Sequence, residues 1–331
     1  MTKKALLVAL VLFGMGGAIP HAVLAAEVDR GGFGDALLIP YFDVNNLNTL
    51  ISIESNNMTF QVVRVRFRSA TTGGEALAFN LCLTPLGSWT AAMSPTGATA
   101  QVVSTSAMLA DGGPGLNRLL TGNTTRGYIE VIGLREGGAT QEICDDASQG
   151  AATSNFSLLA RAYYVDPSKN PILAFGTNAI AIRDFSTVKL SQGATMFGNG
   201  SIAAALAANS NFSGTGLVSR YFVGPDFAAE TVIVLAFPAG AGGCSGCTIP
   251  SQVRITPFAE DGTELASFNR SAGQVVNIIS LTAADLSAPA GLLFLTAWPV
   301  NALPTIGLVI QTTANLSAPV FFNVLFPGQL F

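Results

Sequence analysis

The sequence predicts an all-β protein: an export signal followed by two tandem immunoglobulin-like β-sandwich modules related by internal duplication. Two observations carry this. Short runs rich in Val, Ile, Phe and Thr recur between Gly, Pro, Asn and Asp punctuation, without a sustained helical period. The same series of strand-like segments also occurs twice, about 180 residues apart. A period that long marks a repeated domain, since solenoid units run to roughly 20 to 50 residues.

Residues 1–26 read as a cleavable signal. Lys3 and Lys4 precede an apolar run from Ala5 to Phe13, and small residues close the segment at Ala22-Val23-Leu24-Ala25-Ala26, with cleavage expected after Ala25 or Ala26. The run is too short to span a bilayer and holds no Cys to accept a lipid. A secreted protein is expected, extracellular or on the outer cell surface, with the periplasm as the other compartment the signal allows.

Module 1 is expected over residues 27–184. It contains Tyr41-Phe42, the apolar stretch from Thr49 to Ile53, Gln61-Val62-Val63-Arg64-Val65, a Gly-Gly turn and Glu75-Ala76-Leu77-Ala78-Phe79-Asn80. It closes with a strand pair at 158–165 and 172–182. Residues 185–218, rich in Gly, Ser, Asn and Ala, read as a linker.

Module 2, residues 219–331, repeats the order. Tyr221-Phe222 precedes Thr231-Val232-Ile233-Val234-Leu235, then Gln252-Val253-Arg254-Ile255, an Asp261-Gly262 turn and Glu264-Leu265-Ala266-Ser267-Phe268-Asn269. Short helices are expected only at 106–109, 115–120 and 201–208. In the tail, Pro299, Pro304 and Pro319 cut the apolar sequence into runs of strand length, so no helix of about 20 residues survives. These runs are apolar on both faces, which suits strands buried between layers better than the alternating strands of an outer-membrane barrel.

Composition excludes whole classes of chemistry. His21, the only histidine, lies in the signal, so the mature chain has no imidazole for Ser-His-Asp or Cys-His catalysis, His-ligated zinc or an HExxH site. It keeps all 20 acidic residues and, without Lys3 and Lys4, 14 of the 16 basic ones, a formal charge of −6. Nucleic acid is therefore not an expected partner. Charged residues make up 11 % of the chain, against roughly 25 % in ordinary soluble domains, and none follows Asp285. So bare a surface either buries itself against copies of the chain or rests on something apolar.

Cys82, Cys144, Cys244 and Cys247 are an even set in an exported chain, so disulfides are expected. Locality favours Cys82 with Cys144 and Cys244 with Cys247. The CxxC also admits a redox or metal reading, but no helix pattern follows to lower a thiol pKa. Val63-Arg64-Val65-Arg66-Phe67-Arg68 alternates strictly, so Arg64, Arg66 and Arg68 share one strand face. That stripe is the candidate ligand site, for an anionic glycan or lipid phosphate; the plainer expectation is pairing with Glu54, Glu75 or Glu130.

Ser186-Thr187-Val188-Lys189 matches SxxK without the other elements of penicillin-recognising enzymes. Asp145-Asp146 are the densest carboxylate pair for a histidine-free glycosidase, yet they adjoin Cys144 in a Gly/Ser/Thr loop. No catalytic residue, cofactor motif or metal site is assigned, and the chain is not read as an enzyme. Seven N-x-S/T sequons occur, at Asn57, Asn123, Asn155, Asn199, Asn211, Asn269 and Asn315.

Leu38-Ile39-Pro40-Tyr41-Phe42, Arg64-Val65-Arg66-Phe67, Phe79-Asn80-Leu81, Leu86-Gly87-Ser88-Trp89-Thr90-Ala91 and Arg126-Gly127-Tyr128-Ile129-Glu130 together resemble a group of exported Gram-negative bacterial β-sandwich proteins. The resemblance implies a secreted protein and carries no activity or ligand. The expected function is structural or adhesive at the cell surface, with copies of itself or other surface components as partners. Self-assembly would proceed by strand addition through residues 35–42 or the tail after Pro319. The alternative is a monomeric binder of anionic glycan or lipid on the arginine face.

Overall fold

The computed structural model describes residues 27–30, 32–45, 47–106, 108–109, 115–136, 157–167, 173–183, 217–223, 229–237, 249–298, 306–313 and 321–325. These residues form strands and no helix. The first half runs β1 (Glu27–Arg30), β2 (Ala36–Asp43), β3 (Asn48–Ser55), β4 (Gln61–Ser69), β5 (Glu75–Leu83), β6 (Ser88–Thr96), β7 (Thr99–Ser104), β8 (Leu116–Leu119), β9 (Arg126–Glu136), β10 (Leu158–Asp166), β11 (Leu173–Asn178) and β12 (Ile180–Arg183). The second half runs β13 (Leu217–Phe222), β14 (Ala229–Ala236), β15 (Gln252–Ala259), β16 (Phe268–Ser271), β17 (Val276–Leu281), β18 (Ala290–Trp298), β19 (Ile306–Thr313) and β20 (Phe321–Leu325).

The strands make four open antiparallel sheets. Sheet 1 has the order β11-β10-β3-β6-β7-β8 and sheet 2 the order β1-β12-β2-β9-β4-β5. Sheet 3 is β17-β14-β19-β20 and sheet 4 is β13-β18-β15-β16. Sheets 1 and 2 face each other over an aromatic chain. Phe42, Phe67 and Phe79 of sheet 2 lead to Trp89 of sheet 1, with successive ring centroids 5.9, 6.1 and 5.6 Å apart. Sheets 3 and 4 close over Ile233, Leu235, Ile255 and Leu295.

The second sandwich rests on the first. Leu38, Ile132, Ile180 and Ile182 on the outer face of sheet 2 are at most 1 % exposed, and Val234, Ala236, Leu308 and Ile310 on the outer face of sheet 3 at most 5 %. β2 lies against β14 and β19, and the Val276 N–H donates to the Ala70 carbonyl at 3.0 Å. The layers therefore stack in the order sheet 1, 2, 3, 4. This explains why β2, Ala-Leu-Leu-Ile-Pro-Tyr-Phe-Asp, lacks alternation: one face meets sheet 1, the other sheet 3, and every residue is buried.

The order of strands corresponds between the halves. β2-β9-β4-β5 matches β13-β18-β15-β16, and β11-β10-β3-β6 matches β20-β19-β14-β17. Register follows the sequence echo where the strands are regular. Arg64 faces Asn80 as Arg254 faces Asn269, and Val65 faces Phe79 as Ile255 faces Phe268. At the first strand the echo slips. Phe42 faces Gly127 where Tyr221 faces Gly291, so Phe42, not Tyr41, takes the place of Tyr221. The cause is a bulge between Ile39 and Phe42, where Pro40 lacks the N–H a regular ladder needs. The terminal strands also sit differently from an immunoglobulin domain, whose first strand pairs with its second. Here β2 joins β9, and β13 joins β18.

Several expectations change. Residues 115–120, expected helical, contain β8; among the described residues of 106–109, Leu109 bridges Leu81 and the Met108 carbonyl accepts from the Cys82 N–H at 2.7 Å. The segment 172–182 is two strands broken at Ala179, β11 in sheet 1 and β12 in sheet 2, because the chain crosses from one layer to the other. β13 begins at Leu217, inside the expected linker. Most of that linker, the signal and residues 201–208 lie outside the described residues. Of the proposed donor segments, β2 is hydrogen-bonded on both sides, to β12 and β9, while β20 pairs with β19 as the edge strand of sheet 3.

Comparing the halves yields one prediction. Tyr221 is 2 % exposed and its hydroxyl has no hydrogen-bond partner among the described residues, while the first sandwich has Phe42 there. Tyr221→Phe is expected to raise stability by about 1 kcal/mol, read from the urea midpoint.

Candidate functional site

Arg64, Arg66 and Arg68 share one face of β4, as the period of two requires, but it is not an open face. It is the outer face of sheet 2, the side on which the second sandwich sits. Arg66 and Arg68 are 1 % and 2 % exposed. The Arg68 Nε lies 3.1 Å from Glu130 Oε2, and Arg66 reaches the same oxygen at 3.9 Å and Glu75 Oε2 at 3.5 Å. Glu130 is fully buried on β9, directly opposite Arg66. Burial pushes the Arg66 guanidinium below its ordinary value, and Glu130 pulls the other way. Arg64, half-buried, donates to Asn80 Oδ1 at 3.4 Å. The stripe is thus internal ionic packing rather than a surface for an anionic glycan or lipid. Of the three expected carboxylates, Glu75 and Glu130 are in place; Glu54 lies on sheet 1, 4.0 Å from Arg161.

A second buried polar cluster pins the start of β3. The Tyr41 hydroxyl donates to Asp43 Oδ2 at 2.6 Å, the Asn45 N–H donates to Asp43 Oδ1 at 2.7 Å, and the Tyr164 hydroxyl donates to the Tyr41 carbonyl at 2.7 Å. Thr49 Oγ1 bonds the Asp43 backbone, as Thr231 Oγ1 bonds that of Phe222 in the second sandwich. Burial first, and then the Asp43 charge, hold the Tyr41 phenol well above its ordinary value; burial does the same for Tyr128 and Tyr164.

These raised values fix the sign of a pH effect. Below about pH 10 the phenols are neutral in both states. Above it, the unfolded chain releases protons that the folded chain retains, so their contribution to stability is lost as pH rises. Urea midpoints are expected to fall above about pH 10, with phenolate absorbance from these tyrosines appearing together with loss of the β signal. Early titration in a still-folded chain would contradict this.

Cys82, 4 % exposed, packs beside Val62 and is not a free thiol. Cys144, Cys244 and Cys247 lie outside the described residues, as do Asp145, Asp146, Ser186 and Lys189. No group of His, Cys, Asp and Glu able to hold a metal occurs among the described residues.

Among the described residues, three surfaces stand out. A shallow polar groove of about 590 Å³ lies at the seam of the sandwiches, between the β4–β5 turn, the β8–β9 loop and Gln274; Glu75, Asn123 and Arg126 line it. Most of its hydroxyls are turned onto backbone: Thr121 donates to the Ala76 carbonyl and Thr124 to that of Thr121.

The outer face of sheet 1 is the second. Tyr163, Leu50, Ala92 and Val103 stand directly opposite one another across four strands, with Leu119 one row away. Leu50, Val103, Leu119 and Tyr163 are 37–51 % exposed, and they are four of the six exposed large hydrophobic residues among those described. The Tyr163 ring lies over Gly176, where a Cβ would meet it at 2.7 Å. Sequence reasoning missed this row because it is assembled from four separate strands.

The third is the outer face of sheet 4, with half-buried Val218, Phe258, Leu292 and Phe294 in register. The fold defines an all-β protein of two stacked sandwiches. No protein-family model matches the chain, and no curated protein is significantly similar to it.

Proposed function

We propose that the chain is an exported structural or adhesive protein of the cell surface that associates with copies of itself through sheet faces, its two modules having arisen by duplication. The observation that carries this reading is the gathering of exposed hydrophobic residues on the outer face of sheet 1. A solvated sheet face ordinarily alternates to polar side chains, whereas this one presents Tyr163, Leu50, Ala92 and Val103 in a row. Low charge favours the same reading, since little repulsion opposes contact between copies. Association by faces is favoured over donation of β2, because β2 is held on both sides within its own sheet.

The test is the mass of the mature chain, residues 27–331, by light scattering over a concentration series. A mass that rises with concentration is expected; a monomer throughout would overturn the reading. We further propose that Cys82 pairs with Cys144, closing a loop of about 60 residues worth roughly 4 kcal/mol. Peptide mapping without reduction is expected to recover the two cysteines linked, and a Cys82 peptide linked to Cys244 or Cys247 would refute the pairing.

A further inference from the structure

We infer that copies of this chain stack head to tail by repeating, between molecules, the contact that joins the two sandwiches within one molecule. The inference rests on the self-association reading and adds the faces and the direction of growth.

Within the chain, the outer face of sheet 2 is covered by the outer face of sheet 3. By strand order, sheet 2 corresponds to sheet 4, and sheet 3 to the β11-β10-β3-β6 part of sheet 1. The outer faces of sheets 4 and 1 are therefore a second set of the same two complementary surfaces, one at each end of the four-layer stack. No element among the described residues lies over either. A second copy offering its sheet 1 to the sheet 4 of the first would recreate the internal contact.

The side chains suit that pairing. Register places Thr256, Phe258 and Phe294 of sheet 4 where sheet 2 has Arg66, Arg68 and Glu130, and Leu292 where it has Tyr128. The internal face uses paired charges enclosed for good; the terminal face is uncharged and half-buried at these positions, with exposed Arg220 opposite Leu292 and exposed Arg254 opposite Thr296 on the same face. On the other side, Leu50 and Tyr163 occupy the positions of Val232 and Ile310 of sheet 3, and Val103 and Leu119 on the additional strands β7 and β8 widen the apolar surface.

Part of the face is more polar than its internal counterpart. Ser52, Glu54 and Arg161 stand where sheet 3 has Val234, Ala236 and Leu308, and Arg161 pairs with Glu54. The contact between copies is consequently weaker than the internal one, which suits association that depends on concentration. Because the two surfaces differ, the contact is heterologous: it does not close after two copies and continues as an open stack.

The experiment uses the mature chain with one face altered at a time. Leu50→Lys with Tyr163→Lys charges the sheet 1 face; Phe258→Lys with Phe294→Lys charges the sheet 4 face. Circular dichroism and urea unfolding check the fold, and Thr256→Lys, at a half-buried polar position, replaces the second pair if that variant does not fold.

Each altered chain alone is expected to remain a monomer where the unaltered chain has grown several-fold in mass. An equal mixture of the two is expected to form a 1:1 dimer, since each retains the face the other lacks. Growth of either altered chain alone, or a mixture that stays monomeric, would overturn the stacking. An unaltered chain that never associates would instead sink the self-association reading on which it rests.

Discussion

Glu130→Ala is expected to destabilise the protein by about 3–5 kcal/mol, the usual consequence of removing one partner from a buried ionic group. Arg66 and Arg68, at most 2 % exposed, would keep their charges but lose the buried carboxylate that both reach, with Glu75 beside Arg66 and the Gly73 carbonyl beside Arg68. The second sandwich supplies a control, because Thr256, Phe258 and Phe294 fill the same register positions without charge. Replacing the whole cluster by Arg66→Thr, Arg68→Phe and Glu130→Phe is therefore expected to cost much less than the single change, about 2 kcal/mol or below. Urea denaturation of both variants measures the difference. A single variant within about 1 kcal/mol of the unaltered chain would show that the arginines find other compensation.

Gly127→Ala and Gly291→Ala are expected to cost more than 3 kcal/mol each or to prevent folding. A Cβ at Gly127 would overlap the Arg68 carbonyl oxygen, and one at Gly291 the Phe258 carbonyl oxygen. Both obstacles are backbone atoms of the neighbouring strand, which can retreat only if the ladder opens. The ring of Phe42 packs at one glycine and that of Tyr221 at the other, so the two sites are the same feature in the two sandwiches. Gly97→Ala is the contrast: nothing lies within 4 Å of its Cβ, but φ is +60°, so the expected loss is about 1 kcal/mol. Equal losses at Gly97 and Gly127 would show that crowding is not what selects glycine at Gly127.

Much of the fold was legible because strand patterning is local. The echoes at Thr49 and Thr231, Arg64 and Arg254, and Phe79 and Phe268 fall in matching register positions. The displaced Tyr41-Phe42 echo was not read from the sequence: Pro40 marks an irregularity in the strand, but it does not say on which side of it the extra residue falls. The arginine stripe shows a different limit. Alternation told that Arg64, Arg66 and Arg68 share a face; whether that face meets water depends on a sandwich encoded more than 150 residues later. β8 is four residues long, too short for either period to decide against a helical turn. The sheet 1 row depended on register among β10, β3, β6 and β7, which no single segment contains.

Electron microscopy of the concentrated chain from residue 27 to 331 tests the central claim most directly. Four sheets stacked face to face, at about 10 Å per layer, give a repeat of about 40 Å per copy along the stacking axis. Filaments with that axial rise, growing with concentration, are the expected result. Closed dimers, or fibres with the roughly 4.8 Å strand repeat of edge-to-edge pairing along their axis, would contradict it.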